Sequence, residues 1–163
     1  MAHPELISKA KKVIHDILYI TLATSDKNNQ PWNSPVYSAF DKNYNFYWAS
    51  WRENKHSQNI QENEKVFVVI YDSTVPEGTG FGVYMKGKAH QLEKKDILEI
   101  VKALKLLYSR KSKKPRKPEE FLGLLPRRIY RFVPEQIWVN SEGDVKGNFV
   151  DSRIDITSDI LNK

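Results

Sequence analysis

The residue types best suited to chemistry crowd into one stretch, Trp48 to Ile60, WASWRENKHSQNI. Ser50, Arg52, Asn54, Lys55, His56 and Ser57 surround what reads as the passage from a strand into a helix. The free backbone N–H groups of a helix start attract anions, and hydroxyl, amide and cationic side chains complete a phosphate cradle. Arg brings a fork of donors, Lys a point charge. The same residues also fit a plain helix start, in which Ser50 caps, Arg52 and Lys55 face water and His56 lies at the surface. Many helix starts carry such residues, so both readings stand at this point.

Other chemistries find little support. His3, His15, His56 and His90 form no HExxH motif and no i, i+4 pair, which removes the usual zinc hydrolase pattern. Only His56 sits beside other ligand-binding types, and His90, at a strand end, reads as structural. The chain has no cysteine, which rules out disulfides, thiolate nucleophiles and cysteine-built metal centres, and no metal site is predicted. Ser34, Ser50 and Ser57 lack a GxSxG context. Glu53, Glu62, Asp72, Glu77, Glu93 and Glu135 form no acid–base pair by spacing. GTGFGV, Gly78 to Val83, lacks the full GxGxxG spacing and a following helix, so it is not a dinucleotide fingerprint. Trp32, Trp48, Trp51 and Trp138, with Tyr37, Tyr44, Phe46 and Tyr47, supply either a wall for a flat heterocycle or an aromatic core extended across a dimer interface.

The elements that position these groups follow from periodicity. Leu6, Ala10, Val13, Ile14 and Ile17 recur at helical spacing, which predicts an amphipathic helix from Pro4 to about Asp16. From Ile17 the period becomes two, a strand through Ala23, and Asp26 to Gln30 supplies a turn. Ser34–Phe40 and Tyr44–Trp48, joined by Asp41 to Asn43, read as a hairpin. Ser50, with Glu53 three residues on, has the capping-box spacing and opens a helix ending near Asn63. Lys65–Tyr71 is a strand whose continuous VFVVI suggests burial on both faces. Phe81–Gln91 is another, in which Gly82 and Gly87 mark a bulge or a close backbone approach. Glu93–Tyr108 is the longest helix, striped by Ile97, Ile100, Val101, Leu104 and Leu107 or Tyr108. Ile129–Val133 is a strand broken by Pro134, with Ile137–Val139 continuing, and past Gly147 the pattern weakens. Six or so antiparallel strands with inserted helices predict a small barrel or an α+β domain and exclude a doubly wound sheet. With neither an internal repeat nor a second core, residues 1–163 are expected to form a single domain.

Composition bounds the partners. At 163 residues and 40% apolar content, the chain suits one compact domain and is neither disordered nor collagen-like. The net charge of +6 is local: Arg110, Lys111, Lys113, Lys114, Arg116 and Lys117 lie within RKSKKPRK, and the rest of the chain is neutral. That run reads as a solvated loop, an anion-attracting rim over a ligand site, or a nucleic-acid contact. A duplex-tracking face needs cations from several elements, so no nucleic acid is predicted as partner. No apolar run approaches the roughly 18 residues of a membrane span, and MAHPELISKAKK lacks the apolar core of a signal peptide. The expectation is a soluble, cytoplasmic protein with no membrane contact.

Four pieces then occur in order between Trp32 and Asn140: WNSPVYSAFDKNYNFYWAS, HSQNIQENEKVFVVI, DSTVPEGTG with GFGVYMKGKAHQLE, and PRRIYRFVPEQIWVN. In this order the sequence resembles the pyridoxamine 5'-phosphate oxidase-like family of flavin-binding split barrels. The resemblance implies a mainly β fold with inserted helices, a six-stranded antiparallel split barrel of the FMN-binding type. It also implies a homodimer with FMN in the groove between chains. The activity implied is FMN-dependent oxidoreduction, with hydride transfer at flavin N5 to or from an unidentified small organic substrate and NAD(P)H as a candidate donor. The alternative is a non-catalytic flavin, deazaflavin or haem-binding protein for storage, sensing or stress protection.

The family's phosphate-binding pattern falls on Ser50, Asn54, Lys55 and His56, followed by Ile60 and Asn63. His56 stands where the family has Lys, and Glu64 where it has Pro. The family's Arg-x-x-x-Leu-Lys signature is replaced by NQPWNSPVY, so recognition of a vitamin B6 phosphate is not implied. Asn33 or Ser34, or the backbone at Val36, is implied to hydrogen-bond the flavin ring. Trp48 is a candidate for the aromatic wall. Trp138 is placed either near the flavin across the dimer groove or in the interface itself.

Overall fold

The computed structural model describes residues 4–145 and 148–161, with side chains for all of these but 141–151. His3 and the boundary at Gly147 lie outside the described residues. The chain opens with helix α1 (Pro4–Asp16), whose Ala10 and Ile14 are buried, and continues into β1 (Tyr19–Ser25) and β2 (Pro31–Tyr37). A short β3 (Ala39–Phe40) and β4 (Phe46–Trp51) form a hairpin, followed by α2 (Lys55–Glu62). β5 (Lys65–Tyr71) and β6 (Gly82–Gln91) precede a 3-10 turn at Lys94–Asp96 and α3 (Ile97–Arg110). A second 3-10 turn, Pro118–Phe121, leads to β7 (Arg127–Val145), β8 (Asn148–Asp155) and α4 (Thr157–Leu161).

The strands form one antiparallel sheet in the order β2-β1-β5-β6-β7-β4-β3, with β8 also on β7. The first and last members of that order, β2 and β3, are separated in the chain only by Ser38. A sheet whose two ends are one continuous segment must curl round on itself, which makes the split barrel. Ser38 is fully buried at this joint, and its N–H donates to the Leu18 carbonyl at 3.0 Å. The fold is the mainly β split barrel with inserted helices that the resemblance implies.

Alternation along the strands divides the core in two. Leu22, Trp48, Val68, Met85 and Tyr130 fill the barrel, where the Trp48 ring stacks on Tyr130 with centroids 5.6 Å apart. On the other face of the sheet, Tyr47 and Ile129 pack with Leu104, Leu107 and Phe121, burying the apolar stripe of α3. Removing a side chain as large as Trp48 from such a core costs about 3–5 kcal/mol.

Several local expectations yield to the sheet. Ser50 does not open a helix: it stays in β4, paired with Arg128, and α2 begins at Lys55. The β4–β7 ladder runs on to Trp51 and Arg127, so the backbone at Ser50 is held extended, and Glu53 bonds Arg52 at 2.9 Å instead of closing a capping box. Segment 34–40 is not one strand of a hairpin; its first part pairs with β1 and only Ala39–Phe40 pair with β4. β5 alternates, with Val66, Val68 and Ile70 inside and Phe67 and Val69 half-buried outside. Pro134 does not break β7. The ladder absorbs it by a register shift between Lys86 and Gly87 of β6. There a Cβ on Gly87 would lie 2.1 Å from the Val133 carbonyl oxygen, the close approach that the glycine signals. β8 and α4 lie in the segment whose pattern was weak.

The basic run is only partly solvated. Arg110, closing α3, donates to the backbone carbonyls of His15, Ile17 (2.9 Å) and Ser38 (3.4 Å), and its guanidinium lies 5.6 Å from the Phe40 ring centroid. Lys111 sits over the rings of Tyr37 and Tyr108, and Arg116 pairs with Glu120.

A polar cluster fastens α3 to the β3–β4 turn. Asp41 Oδ1 accepts from the N–H groups of Asn43 (2.9 Å) and Asn45 (3.0 Å), and its Oδ2 accepts from Lys102 Nζ at 2.9 Å. The buried Tyr47 hydroxyl lies 3.1 Å from Asp41 Oδ2 and 2.9 Å from Glu99 Oε1. Arg131 Nη1 donates to both Glu99 oxygens at 2.7 and 2.8 Å. Burial alone would raise the Asp41 carboxyl, but the Lys102 ammonium and the Asn45 and Asn43 donors outweigh it and hold it at about 2.

Two outcomes follow for stability. Gly87→Ala forces the β6–β7 backbones apart and is expected to cost roughly 1–3 kcal/mol or more, read as a lower urea midpoint at neutral pH. A carboxyl held at about 2 in the fold, against 3.8 when unperturbed, contributes about 2 kcal/mol above about pH 4 that is lost as the pH falls toward 2. Urea midpoints of the native chain and of Asp41→Asn, followed from about pH 6 to about pH 2, are expected to converge on acidification. Parallel acid limbs would show that Asp41 carries none of the acid sensitivity.

Candidate functional site

The polar groups picked out by sequence meet where α2 plugs one end of the barrel. Ser34 lies on β2 opposite Leu22 of β1, and Ser50 lies near the end of β4. Period-two alternation turns Ser34 to the same face as the buried Val36, and turns Ser50 to the same face as the buried Trp48. Between the two serines sits His56 in the first turn of α2. Its Nε2 is 2.9 Å from Ser50 Oγ and its Nδ1 is 3.2 Å from Ser34 Oγ. Asn54 Nδ2 donates to Ser50 Oγ at 2.9 Å, and Trp32 Nε1 donates to Ser34 Oγ at 3.1 Å. Burial pushes the His56 imidazole below its ordinary pKa, so the ring is neutral at neutral pH.

α2 is fastened by polar contacts all along one side. His56 reaches β2 and β4, and Asn59 Nδ2 donates to Thr24 Oγ1 at 3.1 Å. Asn63, just past the helix, donates to Ser25 Oγ at 2.9 Å. Positions 56, 59 and 63 follow i, i+3, i+7, one face of a helix. Ile60 supplies the apolar contact of that face with the barrel core. Asn54 stands at the N-cap with extended backbone but makes no side-chain cap bond; its Nδ2 donates to Ser50 instead. The first N–H groups of α2 therefore have no capping side chain. Lys55, beside them, reaches Asp26 Oδ2 of the β1–β2 turn at 3.4 Å, and its side chain is 40% exposed. Asp26 is held below the usual carboxylate range, first by the Gln30 N–H.

The structure thus brings Ser34, Ser50, Asn54 and His56 into one hydrogen-bonded chain, with Lys55 adjacent. The other candidates stand apart from it. Asn33 is exposed and faces away from Ser34, out from the sheet. Val36 is buried, which leaves its backbone as the part within reach of a ligand. Trp48 is fully buried against Tyr130, so its ring supports the wall from within and presents no open face. Trp138 lies on β7, stacked on Phe67 of β5 at 6.3 Å, on the outer face of the sheet.

Sequence reasoning left Thr24 and Asn59 out of the site, and gave Trp32 only a place in an aromatic wall and Asn63 only the turn that ends the phosphate pattern. The His56-x-x-Asn59-x-x-x-Asn63 spacing was the available signal, since three hydrogen-bonding residues on one helix face need polar partners. The donor set fits a group that carries a phosphate and a flat ring with acceptor atoms. It offers uncapped helix N–H groups, a cation beside them, and hydroxyls along β2 and β4. Among the described residues there is no cluster of three or more metal-ligating side chains.

The architecture recurs in solved structures. A haem-binding protein from Mycobacterium smegmatis superposes with a TM-score of 0.68 at 13% identity, covering 99% of this chain, which spans 61% of that one. A haem storage protein from Vibrio cholerae gives 0.65 at 17% identity, covering 79% of this chain and 90% of its own. A FAD-binding protein from Mesorhizobium loti gives 0.60 at 20% identity, covering 81% and 91%. At these identities the likeness is one of fold. A comparison with curated protein sequences finds no match. The family model described as pyridoxamine 5'-phosphate oxidase matches residues 6–140, a span that includes both serines, His56, the whole of α2 and Trp138. The chain belongs to the pyridoxamine 5'-phosphate oxidase family.

Proposed function

We propose that this chain binds FMN at the junction of β2, β4 and α2, and that it is an FMN-dependent oxidoreductase acting on a small organic substrate. The observation that carries the proposal is the uncapped start of α2: Asn54 turns its amide to Ser50 and leaves the first helix N–H groups for a phosphate. Lys55 supplies charge-assisted hydrogen bonding beside them. The Ser34 hydroxyl and the backbone at Val36 would hold the polar edge of the ring, while the Asn33 side chain faces the other side of β2. Trp48 stiffens the wall behind them. When bound, the flavin supplies hydride transfer at N5, with NAD(P)H as the candidate donor. The protein's part is to orient the ring, exclude water from one face and fix hydrogen bonds at its edge. No strong base is required of the chain, in keeping with the neutral, fully engaged His56.

The proposal includes a homodimer. Phe67, Val69 and Trp138 are half-buried on the outer face of the sheet, and Tyr71 is 49% exposed. A second copy laid on that face would bury them and bring its own Trp138 toward the β2 edge of the first. The chain is then one cytoplasmic flavin-binding unit, in keeping with the absence of any described helix long and apolar enough to cross a membrane. A haem-storage reading shares the fold. Against it at this site, both His56 nitrogens face serine hydroxyls, which leaves no lone pair for iron.

Purified protein is expected to show flavin absorbance, and released FMN identified by mass would name the cofactor. Lys55→Ala is expected to weaken FMN binding about tenfold in a fluorescence titration while leaving the unfolding free energy within about 0.5 kcal/mol. Protein that is colourless and takes up no added FMN would remove the reading, and a haem or deazaflavin spectrum would replace it. Light scattering is expected to give twice the mass of one chain. Phe67→Glu should yield monomer and lose FMN together; a monomer that still binds FMN tightly would contradict the shared groove.

A further inference from the structure

The chain Asn54–Ser50–His56–Ser34–Trp32 can be read proton by proton. It contains four hydrogen bonds, at 2.9, 2.9, 3.2 and 3.1 Å. With a neutral imidazole, five protons are available to fill them: one each from the Asn54 amide, the Ser50 hydroxyl, the His56 ring, the Ser34 hydroxyl and the Trp32 indole. One donor is therefore in surplus, and its position depends on the His56 tautomer.

If Nε2 carried the ring proton, Ser50 would accept from both Asn54 and His56. Its own proton would then be left over at a residue only 8% exposed. If Nδ1 carries it, Ser50 donates to Nε2, Ser34 accepts from both Nδ1 and the donor-only Trp32 indole, and the surplus proton is on Ser34. Ser34 is half-buried, on β2 between the exposed Asn33 and Pro35. A buried donor without an acceptor costs far more than one that can meet water or a ligand. The environment thus selects the second arrangement.

We propose that His56 is a positioning residue, held as the Nδ1–H tautomer by Ser50 and Asn54, and that it makes the Ser34 hydroxyl an obligate donor to an acceptor atom of the bound ligand. On the flavin reading, from which the ligand's identity comes, that atom is a carbonyl oxygen or imine nitrogen at the ring edge. The ligand's fifth hydrogen bond consumes the surplus proton and leaves the network complete. No charged side chain shares in these four bonds, so the direction is set by donor count alone.

The tautomer is read without any cofactor, from long-range proton–nitrogen correlation spectra of the uniformly labelled full chain at neutral pH. The expected spectrum shows a protonated Nδ1 and a bare Nε2 at His56. Ser50→Ala, which removes the donation to Nε2, is expected to move the ring to the Nε2–H form. A native ring with its proton on Nε2 would mean that Asn54 presents its oxygen to Ser50, and would overturn the proposal; an imidazolium would overturn it too. In FMN titrations Ser34→Ala and His56→Phe are each expected to weaken binding about tenfold, and the double variant no further. His56→Asn, which keeps an N–H near the Nδ1 position, is expected to retain most of the affinity. Native-like FMN affinity in Ser34→Ala would overturn the donor role. Should the native chain bind no FMN, the cofactor reading fails, and the tautomer spectra of the native and Ser50→Ala proteins decide this proposal by themselves.

Discussion

Closure of the sheet is the constraint on which the rest depends. Because β2 and β3 are one segment interrupted only by Ser38, the two ends of the strand order cannot separate, and every strand between them must curve. Curvature fixes which alternate residues face inward, so the barrel core and the α3-facing core are both settled by the same joint. It also brings β2 and β4, distant in the strand order, near enough for one histidine to touch both.

The barrel has an end that must be covered, and α2 covers it with polar groups. His56, Asn59 and Asn63 bond the strands, while Ile60 alone supplies the buried apolar contact from that side of the helix. A helix seated this way is held by direction more than by area, since each hydrogen bond fixes a donor and an acceptor. The same property suits a ligand site. A cofactor ring placed against β2 meets groups whose orientations are already determined, and little ordering remains to be done on binding.

Elements with their own period were legible in the sequence: α1, β5, β6 and α3 were read within a few residues of where they lie. So was Gly87, because a glycine inside a strand has few reasons to be there. What failed was local chemistry overruled at long range. Ser50 and Glu53 satisfy a capping pattern, yet Arg128, far along the chain in β7, pairs with Ser50 and keeps it extended. Pro134 reads as a strand breaker, yet β6 yields a register shift opposite it. The site was legible as a set of residue types. Its wiring was not, because Ser34 and His56 are 22 positions apart and only closure brings them into contact. Trp48, an apt wall for a ring by type, is enclosed by the core that the same closure creates.

Arg110 carries a consequence for the order in which the chain assembles. Its guanidinium joins the carbonyls of His15, Ile17 and Ser38, so the residue that pins the joint arrives some 70 positions after the joint itself. β4 likewise waits for β7, which begins at Arg127. On a ribosome, the β1–β2 and β3–β4 hairpins emerge long before anything can close them, with open edges and aromatic faces in water. The nascent chain thus passes through a stage in which two-thirds of it is made and none of the barrel is shut. The contacts that shut the barrel thus fall in the last third of the chain and join residues far apart in sequence, the kind of pairing that slows folding.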